Sequence, residues 1–229
     1  MSEITTVIDP VDIREPLQIR VWRRISGIAL VAAVPAVIVG VFLHPARHTI
    51  ETIPSTQMFA AHAFSLLAGI LVLVGLPGLY AAYAQRWGIV PLIALLIILA
   101  GWPQSWIVED MHHMYTEPVL AAIPATQHLV VEGGQMDGLR RGLQGALLDP
   151  LTMAGFLAWG IVIVRSRFLP SYARYAGWFI AFGLLVMLGR PLTGLPIFNQ
   201  LSAILPLLGL GLVGLTLLAD MPPRPVRAT

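Results

Sequence analysis

Trp102, Trp106, Glu109 and His113 follow one another at intervals of four, three and four residues. On a helix that spacing puts all four side chains on one face. The stripe reads as two large aromatic rings below a carboxylate and an imidazole, an apolar pocket closed by an acid–base cap. Pro103, beside Trp102, is expected to bend the helix and widen that pocket. The surrounding stretch, WPQSWIVEDMHHMY, also brings Asp110, Met111, His112, Met114 and Tyr115.

A carboxylic acid in a low-dielectric pocket has a raised pKa and can serve as a general acid. Asp149 and Glu109 are the candidate acids, with His62 or His113 as partner base. Trp102, Trp106 and Tyr115 offer ring faces to a developing cation. His44, Arg190 and Asn199 complete the expected substrate-contacting set. The polar cap is expected to be His44, His62, Glu109, His113, Asp149 and Arg190. This reading is an intramembrane enzyme acting by acid–base chemistry on a lipophilic, isoprenoid-like substrate, a cyclase or isomerase, with no cofactor. The chain has no DDxxD acid pair and no lysine to hold a diphosphate, so a diphosphate-leaving reaction is disfavoured. It also lacks the GxSxG of a serine hydrolase.

The first alternative is a histidine/carboxylate metal-binding membrane protein. His44 and His48 have the i, i+4 spacing of a helical ligand pair, but Pro45 interrupts the helix between them. Adjacent His112 and His113 point about 100° apart on one helix. The MHHM run and Met58 would suit soft copper, although methionine is ordinarily core filler. A small solute transporter is the second alternative. Glycine and proline interrupt several spans, but the polar groups gather on one side, whereas a pathway needs them throughout.

These residues sit in a chain of 229 residues that is 57% hydrophobic and only 11% charged, with a mean hydropathy of +0.79. That composition predicts an all-α integral membrane protein whose partners are the lipid bilayer and a lipophilic small molecule. The absence of cysteine excludes thiolate metal sites and disulfides. All 14 basic residues are arginine, which excludes Schiff-base lysine chemistry. The arginines are scattered at helix ends and form no stripe, so nucleic acid is not an expected partner.

Six apolar runs are expected to cross as helices: approximately 25–42, 58–83, 87–108, 143–164, 175–188 and 197–219. Residues 1–24 read as a cytoplasmic amphipathic segment, 25–219 as the transmembrane domain and 220–229 as a cytoplasmic tail. Placing both termini in the cytoplasm puts ten arginines inside and four outside, as the positive-inside rule requires. The expected location is therefore a cell membrane of bacterial type, crossed several times. All six histidines then fall on the outer half. A long, partly helical outer connection, from Asp110 to Gly142, is expected between the third and fourth spans. Thr116-Glu117-Pro118 reads as the start of a short helix within it.

Overall fold

The computed structural model describes residues 17–131, 147–193 and 196–219. The expectations for residues 1–16, 132–146 and 220–229 lie outside these. Helix is the only regular structure among the described residues. In chain order the helices are α1 (Leu17–Leu43), α2 (Thr56–Trp87), α3 (Ile89–Ala122), α4 (Gln127–Val130), α5 (Asp149–Arg165), α6 (Ser171–Thr193) and α7 (Pro196–Leu218).

Among the described residues, four helices are long and apolar enough to cross a membrane: Leu17–Leu43, Thr56–Trp87, Ile89–Ala122 and Gln200–Leu218. α5 is shorter, at 17 residues. The long helices pack in a ring in which α1 meets α2, α2 meets α3, α3 meets α5, α5 meets α6, α6 meets α7 and α7 returns to α1. Inside the ring Leu30, Val72, Leu76, Ile98, Trp159, Ile180 and Leu210 are buried. Outside it Ile28, Phe42, Leu96, Trp178, Phe182 and Leu185 remain exposed. An apolar exterior around an apolar core is the surface that lipid solvates.

Glycine permits the closest approaches. A Cβ on Gly40 would lie 2.9 Å from the Ala61 carbonyl oxygen, and one on Gly69 would lie 2.6 Å from the Trp106 ring. Helices without a strong hydrophobic drive toward one another associate through such small residues. Indole donors add direct ties: Trp159 Nε1 donates to the Pro91 oxygen at 2.9 Å, and Trp87 Nε1 to Ser166 Oγ at 2.7 Å.

α3 departs from the sequence expectation. It does not end near Val108 but runs on to Ala122. Two wide, π-helical turns, Pro103–Val108 and His112–Thr116, interrupt its α geometry. Thr116-Glu117-Pro118 does open an α-helical stretch, Glu117–Ala122, with Pro118 in its first turn, but that stretch continues from the wide turn instead of starting from a loop. Proline lacks one donor, and the wide turn before Pro118 changes the hydrogen-bond register where that donor would be needed. Pro103 likewise opens the first wide turn. It does not widen a pocket beside Trp102, because that ring is buried and stacked on Trp106.

Candidate metal centre

The end of the bundle formed by the α1–α2 connection, α2 and the far half of α3 gathers, among the described residues, five imidazoles and three carboxylates. α1 stops at Leu43, one residue before the His44-Pro45 pair. The connection that follows is tightly tied. Thr52 Oγ1 donates to the Arg47 oxygen at 2.8 Å, Ser55 Oγ accepts from Met58 N at 3.1 Å to cap α2, and Gln57 Nε2 donates to the Leu43 oxygen at 2.8 Å. Ile53 from this connection packs with Ala121 and Val130, closing an apolar cover.

Pro45 does break the helix, yet His44 and His48 still converge, their Nε2 atoms 3.3 Å apart. His62, buried on α2, joins them with its ring 5.1 Å from that of His44. One ligand atom from each of His44, His48 and His62 falls within 4.8 Å of the others. The hydrogens on the far side of two rings are assigned by their partners. His44 Nδ1 lies 2.8 Å from the Pro45 carbonyl oxygen, which can only accept, so Nδ1 is the donor. His62 Nδ1 lies 2.7 Å from Asp110 Oδ1. Both rings thus turn Nε2 toward the shared space, in the orientation that a carboxylate or carbonyl imposes on a metal-binding histidine.

The α3 side supplies the rest. His113 is buried and stacks on His62 with ring centres 4.4 Å apart. Glu109, His113 and Glu117 follow at intervals of four. His113 Nε2 lies 3.7 Å from Glu109 Oε1, and His113 Nδ1 lies 2.8 Å from Glu117 Oε2. His112 Nε2 is 3.6 Å from the other oxygen of Glu117, Oε1. His48 reaches this group as well, with Nδ1 4.0 Å from Glu117 Oε2. His48, His113 and Glu117 form a second set of ligand atoms within 4.8 Å of one another.

The two imidazoles in the α1–α2 connection are held neutral. Burial, then His62, lowers the pKa of His44. Burial, then His113 and His44, pushes His48 down to about 4. A neutral imidazole keeps the lone pair that a cation requires.

The residues singled out from sequence divide into those in the cluster and those outside it. His44, His62, Glu109 and His113 meet. Trp102 and Trp106 stack with ring centres 4.4 Å apart and donate to backbone oxygens of Gly69 and Ser65 on α2, at 3.1 Å and 2.9 Å. They fill the interface below the cluster. Tyr115 is exposed and packs its ring edge on Phe59. Asp149 opens the described part of α5, where Leu148 abuts Gly101. Gly101 lies eight residues before Glu109, on the order of 10 Å along the helix, so Asp149 stands below the cluster. The side chains of Arg190 and Asn199 lie outside the described residues. His128 is exposed on α4.

His48, Asp110, His112 and Glu117 belong to the cluster but not to the expected cap. The signal for Glu117 was present, since Glu109, His113 and Glu117 continue one i, i+4 series. A separate helix starting at Thr116 would break that series, whereas the continuous α3 keeps it. In sequence, His48 stands out only as half of an interrupted i, i+4 pair with His44.

No family model matches the chain, and no solved structure does. Among curated proteins, the lipid-A-disaccharide synthase of Cupriavidus pinatubonensis (strain JMP 134 / LMG 1197) is 28% identical over 162 residues. The match covers 64% of this chain and 39% of that protein, so the chain spans well under half the length of the relative.

Proposed function

We propose that this protein is a membrane-embedded metalloprotein whose ion is held by Nε2 of His44, His48 and His62. The carrying observation is the 3.3 Å between the His44 and His48 nitrogens. Two nitrogens each about 2.0–2.1 Å from a tetrahedral ion lie about 3.3 Å apart. Pro45 and Asp110 would fix the tautomers of the flanking ligands, leaving a fourth position open for water or substrate. Imidazole donors suit zinc, iron, copper or nickel. Purified protein in detergent, stripped with chelator and reloaded, should retain about one equivalent or more of such a metal. His44→Ala combined with His62→Ala should abolish that retention. Wild-type protein that holds no stoichiometric zinc, iron, copper or nickel would overturn the reading.

A metal-free acid–base enzyme on a lipophilic substrate, a cyclase or isomerase, is the second reading. The buried 2.7 Å contact between His62 and Asp110 favours it, because it is a ready-made proton-transfer pair. The similarity to a protein named as a lipid-A-disaccharide synthase agrees with lipid chemistry. If metal analysis is negative, Glu109→Gln and Asp149→Asn should abolish turnover in a folded bundle. Full activity in both would remove those two residues from the mechanism.

We also infer six crossings, with both termini cytoplasmic and the cluster on the outer side of a bacterial plasma membrane. The closed ring of long helices and the ten-to-four arginine bias support this topology.

A further inference from the structure

His48 has a nitrogen on each side of the cluster. Its Nε2 faces His44 Nε2 at 3.3 Å, while its Nδ1 faces Glu117 Oε2 at 4.0 Å. The hydrogen positions follow from the neighbours. The hydrogen of neutral His44 is on Nδ1, held by the Pro45 oxygen, so His44 Nε2 accepts and His48 Nε2 donates. Neutral His48 then presents a bare Nδ1 to Glu117 Oε2. Two acceptors 4.0 Å apart are too distant for a hydrogen bond and have no proton to share.

That gap has the dimensions of a cation. Metal–nitrogen and metal–carboxylate bonds are each about 2.0–2.2 Å, so an ion fits between the two atoms, and closing them by about half an ångström gives a tetrahedral angle. His113 Nδ1 stands 2.8 Å from the same Glu117 oxygen. His112 and Glu109 flank the pair, at 3.6 Å from Glu117 and 3.7 Å from His113. We propose that the centre is binuclear: a second divalent ion binds His113, Glu117 and His48 Nδ1, and the His48 ring bridges the two ions.

This inference rests on the His44/His48/His62 site described above. When both ions are bound, His48 Nε2 and Nδ1 each form a metal–nitrogen bond and the ring N–H proton passes to water, leaving an imidazolate. No electron moves, and any divalent imidazole-binding ion satisfies the balance.

The test counts ions and their coupling in the full-length protein. Metal-stripped protein loaded with zinc should hold two equivalents, and the isosteric Glu117→Gln should hold one. His113→Gln should also hold one, which guards against a folding defect peculiar to the first variant. Titration with copper(II) provides a readout without any variant. The electron paramagnetic resonance spin count should rise over the first equivalent and fall over the second, as bridged ions couple. Two zinc ions with two fully independent copper spins would overturn the bridge. One zinc ion in wild type and in Glu117→Gln alike would overturn the second site but leave the first standing. No bound metal in wild type would overturn both.

Discussion

Asp110→Asn probes the centre without removing a ligand. Asp110 Oδ1 accepts from His62 Nδ1 at 2.7 Å, and both side chains are nearly excluded from solvent. The carboxylate fixes the ring so that Nε2 looks toward His44 and His48, and it makes the imidazole a stronger donor. Asparagine keeps the shape but loses the charge, and its amide can present a donor where an acceptor is needed. Removing such an outer partner ordinarily weakens metal affinity 10–100-fold, which is about 1.4–2.8 kcal/mol at roughly 1.4 kcal/mol per tenfold. Competition against a zinc chelator of known affinity, in detergent micelles, measures the change directly. Circular dichroism and thermal melting of the metal-free variant control for folding. Unchanged zinc affinity in a folded Asp110→Asn protein would refute the reasoning, since His62 would not be acting as an oriented ligand.

Other consequences can be measured on the same preparation. The folded pKa of His48, about 4, lies below its unfolded value near 6.5. The stability this contributes is therefore full above about pH 6.5 and is lost as pH falls toward 4. Melting temperatures of metal-stripped protein should drop across that window, and a flat profile would contradict the burial of His48. Gly69→Ala should drive a methyl into the Trp106 ring, which a Cβ would meet at 2.6 Å. A loss of about 1–3 kcal/mol is expected from such overpacking, together with a shift in tryptophan emission. An unaltered emission spectrum and melting curve would show that the indole stack has room to move. A reporter fused to the C-terminus should be active only in the cytoplasm, and activity outside would invert the topology.

Composition and apolar run length made the helical membrane class legible, because hydrocarbon length is a one-dimensional property of the chain. The stripe at Trp102, Trp106, Glu109 and His113 was equally readable, since its i, i+3 and i, i+4 spacings survive in α3. Its meaning was not. The indoles were expected to face a pocket, but Gly69 and Ser65 on α2 take their ring faces and donors. Asp110 was invisible as a partner because His62 lies 48 residues earlier, and nothing in spacing announces such a contact. His48 was discounted because a helix was the assumed means of joining it to His44. A threonine- and serine-tied connection joins them instead. Asp149 shows the converse: a carboxylate near the start of an apolar run stands out in sequence, and α5 places it at the level of Gly101, below the imidazoles.

The two wide turns of α3 have one more consequence. Each holds a residue beyond the α count, so in genetic terms each is an insertion that the helix has absorbed without breaking. Deleting one residue from either turn would restore ordinary periodicity and rotate everything above it by about 100°. The angular phase of Glu109, Asp110, His113 and Glu117 is thereby separated from the phase that Ala94, Leu95 and Ile98 need inside the bundle. Such a chain could change which side chains look at His62 by gaining or losing a single codon, while the lower half of the helix kept its seat.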